Sequence, residues 1–164
     1  MPDTTTLPHK TEFSLLGDTQ VQISRIIEGT PEQVFDAYVN PDKLVQWWGP
    51  RRLGTAVDKL DAKVPGEWRF SNIADNGDEY RFHGVYHEVT APSRIVQTFE
   101  YEGAPGYVSL EAITIEAIGD KTKVTAIATF AGPLDRDGMI DSGMESGATE
   151  SYDRLAELVE GGAA

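Results

Sequence analysis

Between Leu53 and Phe130 the chain is punctuated by five turn signals: Pro65-Gly66, DNGD at Asp75–Asp78, Ala91-Pro92, EGAPG at Glu102–Gly106 and GDKT at Gly119–Thr122. The stretches between them run roughly 10–25 residues and leave no room for the dozen or more crossover residues that parallel strands require. About six strands must therefore pair antiparallel with near neighbours, as a meander. No crossover helix fits inside this half of the chain.

Upstream, residues 11–27 (TEFSLLGDTQVQISRII) carry an apolar run, a Gly17-Asp18 turn, and Val21, Ile23, Arg25 and Ile27 at alternate positions, which predicts a hairpin. Thr30, Pro31 and Gln33 then spell a helix start with a capping box, and Asn40-Pro41 spells a second start that Gly49-Pro50 closes. After Pro133 the period changes to three and four. Ile140, Met144, Gly147, Ser151, Leu155 and Leu158 predict one long amphipathic helix that buries a single face.

Strand alternation sorts the aromatic side chains. Trp68 and Phe70 share a face, as do Tyr80, Phe82 and Tyr86 on the next strand, while Glu67, Arg69, Glu79, Arg81, His83 and His87 take the other. Phe99 is counted with the aromatic set. Gly84 interrupts that face and predicts either a bend or an empty place above it. Gly143 and Gly147, beside Met144, thin the C-terminal helix where it is expected to meet the sheet. Trp47 and Trp48 project about 100° apart on a helix and must serve two surfaces. Trp48, one turn after Leu44, is expected in the core, and Trp47 at the flank that meets a cavity rim.

Composition removes several functions. There is no cysteine, which excludes disulfides, thiolate nucleophiles and cysteine-ligated metals. A net charge of -13 opposes nucleic acid and anionic membranes. Mean hydropathy is -0.34 and no window approaches a membrane span. The opening MPDTTTLPHK shows no export signal, so residues 1–10 are expected to form a flexible tail and the protein to be cytoplasmic. Residues 11–164 are expected to form a single domain.

Catalytic signals are sparse. His83 and His87 are about 13 Å apart along a strand, too far to share an ion, so no metal site is assigned. No Walker loop, G-x-S-x-G, H-E-x-x-H or G-x-G-x-x-G occurs, and neither catalytic residues nor cofactors are assigned. Glu111, in phase with Ile113 and Ile115, is the one inward carboxylate considered. Arg25 is expected in a structural ion pair, and Tyr80, Tyr86, Tyr101 and Tyr152 are expected to serve as polar handles on an apolar wall.

The stretches ISRIIEGTPEQVFDAYVNPDKLVQWWGP, VPGEWRF, HGVYHEVTAPSRIVQTF, DKTKVTAIATF and GMESGATESYDRL resemble the START-like, or SRPBCC, superfamily, and within it the group homologous to the activator of the heat-shock-protein-90 ATPase. The resemblance runs from about Val21 to Val159. It implies an α+β helix-grip fold in which a curved antiparallel sheet of about six or seven strands wraps a long C-terminal helix around an apolar cavity. Many relatives carry a second glycine where this chain has Glu67, whose side chain is expected to narrow that edge.

Together these readings predict a protein that binds a small hydrophobic molecule, aromatic or polyketide-like, through Trp47, Trp68, Phe70, Tyr80, Phe82, Tyr86, Phe99, Glu111, Met144 and Gly147. The alternatives are an enzyme that uses the same cavity for cyclisation or hydrolysis, and a chaperone-binding domain that stimulates a heat-shock ATPase. Either a monomer or a homodimer is compatible with the sequence.

Overall fold

The computed structural model describes residues 9–161; most of the expected tail, residues 1–8, lies outside them, as do residues 162–164. The elements run β1 (Glu12–Leu16), β2 (Gln20–Ile27), α1 (Pro31–Val39), α2 (Pro41–Leu44), β3 (Gly54–Leu60), β4 (Gly66–Ile73), β5 (Glu79–Thr90), β6 (Arg94–Tyr101), β7 (Val108–Ile118), β8 (Lys121–Thr129), α3 (Pro133–Asp141) and α4 (Met144–Glu160). All eight strands form one antiparallel sheet in the order β1-β2-β8-β7-β6-β5-β4-β3. The meander accounts for six strands, and the hairpin adds two at one edge, which takes the sheet past the six or seven expected.

Local chemistry explains the starts of α1 and α2. Thr30 Oγ1 accepts from Gln33 N–H at 3.2 Å while Gln33 Oε1 accepts from Thr30 N–H at 2.9 Å, closing the capping box. Asn40 Oδ1 accepts from Asp42 N–H at 3.0 Å to start α2. Each bond satisfies an N–H that the helix itself leaves unpaired.

The expected long C-terminal helix is two helices. Gly143 takes φ 97°, a left-handed conformation that glycine adopts without steric cost, and the chain turns there from α3 into α4. Gly143 thus makes a turn and does not thin a helix face. Arg136 anchors α3 to the first hairpin by donating to the Gly17 carbonyl at 2.8 Å.

The inner face of the sheet packs against the helices. Val21, Ile27, Val34, Ala37, Val124, Leu155 and Ala156 have no exposed surface. Helix α4 lies closest to β1, β2, α1 and α3, over the hairpin end of the sheet. The pairing register gives this face its rows. Gly66, Tyr86, Gln97, Glu111, Ala128 and Val21 stand side by side across six strands.

Candidate functional site

The aromatic end of the inner face is built by β4, β5 and β6. Phe70 pairs in register with Phe82, and Phe82 with Tyr101, so strand alternation stacks their rings on one side. Phe82 lies 5.4 Å from Phe99 and 5.2 Å from Tyr101 between ring centres. Trp68 lies 4.6 Å from Phe70 and 6.0 Å from Phe99. Tyr86 is buried in the next row, and Tyr80 stands at the edge beside Asn72.

The two adjacent tryptophans take places opposite to those expected. Trp47 is the core residue, 2% exposed, with its indole N–H donating to the Ala37 carbonyl at 2.8 Å. It meets Tyr38 edge-on at 4.8 Å and stacks on Tyr152 at 6.2 Å, locking α1 to α4. Trp48 is only half buried and sits edge-on over Trp68, Phe70 and Phe82 at 6.2, 5.2 and 5.3 Å. The reason is local. Helix α2 ends at Leu44, whose carbonyl accepts from both the Trp47 and the Trp48 N–H, at 3.2 and 3.1 Å, so the chain leaves the helix through a shared turn and not through a continued helical one.

Gly84 is not a vacancy. A Cβ there would stand 1.9 Å from the Thr98 carbonyl oxygen and 2.5 Å from Trp68 Nε1. The ladder between β5 and β6 opens beside it, and Val85 N–H bonds the Thr98 hydroxyl at 2.9 Å. The glycine permits this close approach of strand and indole. At Gly147, by contrast, a Cβ would meet no atom within 4 Å. Gly147 lies on the flank of α4 that carries Ser151 and Arg154, which bond the Gly49 N–H and the Gly49 carbonyl at 2.9 and 2.8 Å. Met144 and Ala148, near it on α4, are half buried against the core.

Polar groups gather at one place on this face. Glu111 Oε1 accepts from the Gln97 amide at 2.9 Å across the β6–β7 pair. Burial pushes the Glu111 carboxyl above its ordinary range, against the pull of the Gln97 hydrogen bond. The Tyr38 hydroxyl donates to the Tyr152 hydroxyl at 2.8 Å, and burial raises both phenols, with the Glu111 charge adding to the effect. Tyr38 is a member that sequence reasoning missed. Its capped helix was legible, but nothing local announces a partner more than a hundred residues away.

The outer face carries ordinary ion pairs. Arg69 holds Glu102 through two bonds of 2.8 and 2.9 Å, and His83 Nδ1 joins at 3.0 Å, so Glu102 is pulled down to about 2. His87 is exposed, and among the described residues no group of three His, Asp or Glu side chains is placed to hold a metal. Glu67 also points outward, to Lys59 at 2.7 Å, and so does not narrow the inner face. Arg25 pairs with Asp153, as expected. That pair borders a polar depression of about 400 Å³ between the N-terminal segment and α4, where Arg51 is matched by Glu157.

Comparison with known proteins agrees with this geometry. Residues 28–160 match the profile of the Activator of Hsp90 ATPase homolog 1-like proteins, and the chain belongs to that family. A crystal structure from Rhodobacter sphaeroides superposes with a TM-score of 0.86 at 20% identity, covering 93% of this chain and 99% of that one. A solution structure from Arthrobacter aurescens gives 0.85 at 19% identity, covering 91% of each chain. A protein of the dynemicin biosynthetic locus gives 0.68 at 18% identity, covering 89% of this chain and 49% of that one. No curated protein is similar enough to count as a match. These likenesses establish the α+β helix-grip fold. In the described residues no helix is long and apolar enough to cross a membrane.

Proposed function

We propose that the protein binds a small apolar molecule between the aromatic end of the sheet and the Gly147 flank of α4. The observation that carries this reading is the half-buried apolar surface, with Met144 and Ala148 partly covered on α4 beside Gly147, where a Cβ would face open space. On the sheet side Trp48, Phe82 and Phe99 are likewise half buried. Packed interiors seldom leave large apolar side chains partly covered around open space, and binding sites do so regularly.

In this reading Phe82 and Phe99 form the surface of the floor, with the buried Trp68, Phe70 and Tyr86 packed beneath and beside them, and Met144 and Gly147 the helical side. Trp48 takes the rim position that the sequence had assigned to Trp47, and Tyr80 marks the outer edge. Glu111 supplies the polar point. The neighbour from a biosynthetic locus is in keeping with a small-molecule ligand.

The test is to screen hydrophobic compounds by thermal shift, then to titrate the hits while following tryptophan emission. A saturable hit should raise Tm and shift the emission, and Gly147→Leu should abolish both responses while leaving the unliganded fold intact. Hits that bind Gly147→Leu as well as the wild type would remove the ligand from this place.

A further inference from the structure

The apolar ligand site proposed above carries a carboxyl group that no cation among the described residues neutralises. Glu111 lies in the middle of the inner face, between Gln97 on β6 and Ala128 on β8. Gln97 satisfies one of its oxygens, and among the described residues no N–H or O–H reaches the other. Arg25, in phase with Val21 on the same face of β2, is committed to Asp153. Arg25 pairs in register with Val124, and Val124 with Ile115, four positions along β7 from Glu111, so its backbone lies about 13 Å further along the strands and two strands away. A carboxylate withdrawn from water is costly unless a charge or several hydrogen bonds compensate it.

The surroundings select what can compensate it. Tyr38 from α1 and Tyr152 from α4 are near enough to feel its charge; the Tyr38 hydroxyl donates to the Tyr152 hydroxyl, and among the described residues neither is hydrogen-bonded to Glu111. Phe99 stands diagonally across the β6–β7 pair from Glu111, and Phe82, Trp68 and Trp48 continue the aromatic surface beyond it. Ring faces carry negative potential and attract cations, and the chain as a whole, at -13, does the same at long range.

We infer that the ligand is an apolar amine, its ammonium group paired with Glu111 and its hydrocarbon body lying over Phe99, Phe82 and Trp48. This rests on the apolar site proposed above and names the chemical class it takes. An ammonium donates to the free carboxylate oxygen and neutralises its charge, while a hydroxyl does only the first and a carboxylate neither.

Three probes of one shape separate the outcomes: naphthylethylamine, naphthylethanol and naphthylacetate, titrated calorimetrically into the wild type and into Glu111→Gln. The amine should bind the wild type at least about tenfold more tightly than the alcohol, the margin of a charged over a neutral hydrogen bond, and the acid least. Glu111→Gln should bring amine and alcohol to within about twofold while the alcohol keeps its affinity, which also shows that the variant is folded. Equal binding of alcohol and amine by the wild type overturns the amine inference and leaves the apolar site standing. An amine preference that survives Glu111→Gln overturns the assignment to Glu111. Absence of saturable binding by all three overturns both readings.

Discussion

The two ends of the inner face are built from the same materials and finished differently. At the hairpin end, Val21, Ile27, Val124, Leu155 and Ala156 are sealed under α4, and Trp47 is locked between α1 and α4 with its N–H satisfied. At the β4–β6 end, Trp48, Phe82 and Phe99 lie in a contiguous aromatic row yet keep exposed surface. One end covers its apolar side chains almost completely, and the other leaves three large ones half covered. Two adjacent tryptophans, one at each end, make the contrast measurable.

The largest expected effect comes from removing them separately. Trp47→Ala should cost about 3–5 kcal/mol in urea unfolding, the usual loss for a buried aromatic ring. Trp48→Ala, half exposed, should cost about 1–2 kcal/mol, from the smaller area it withdraws from water. Equal losses would erase the distinction between the ends.

Gly84→Ala is next. A methyl group there meets the Thr98 carbonyl and the Trp68 indole, so the strands must part, at about 1–3 kcal/mol by the scale of overpacking. The same change at Gly147 meets nothing and should be neutral or stabilising by up to about 1 kcal/mol, because alanine favours helix. Thermal melts of the pair check whether one end is full and the other open.

Much of this was legible in the sequence. Capping boxes, turns and strand alternation are local, so α1, α2, the hairpin, the meander and the aromatic side of β4 and β5 can be read from neighbours within a few residues. The failures were of another kind. A left-handed glycine at 143 is indistinguishable, in a list of residues, from a glycine inside a helix that keeps the three-four spacing. The exchange of Trp47 and Trp48 arises after α2 stops at Leu44, where the turn that follows, and not a continued helix, sets their directions. Gly84 looked like missing bulk because the approach of Thr98 comes from a strand fourteen residues on. The Tyr38–Tyr152 bond depends on tertiary packing alone.

That bond gives a smaller effect. Tyr152→Phe leaves the buried Tyr38 hydroxyl without its partner and should cost about 1–2 kcal/mol, whereas replacing both by Phe should cost less than the two single changes added together. A double-mutant cycle by urea unfolding measures the coupling, and simple additivity would mean that the hydroxyls do not interact.

The smallest effects are in pH dependence, and the two faces have opposite signs. Glu102, held down to about 2 chiefly by Arg69, contributes stability above 4.5 that fades as the pH falls toward 2. Glu111 is raised by burial, so its folded form is favoured while protonated and is penalised as the pH rises above 4.5. Glu111→Gln should therefore match the wild type at low pH and exceed it in stability at neutral pH. A Glu102→Gln variant should be weaker than the wild type at neutral pH and converge with it in acid.

The contrast between the ends is tested most directly by fluorine NMR on protein whose three tryptophans are replaced by fluorotryptophan. Each resonance is assigned by a single Trp→Phe change, and an apolar naphthyl probe is titrated in. The account predicts that the Trp48 signal moves first and furthest, Trp68 follows, and Trp47 stays within its linewidth until the protein is saturated. A Trp47 signal that moves as far as Trp48, or a saturating probe that leaves Trp48 unmoved, would contradict it.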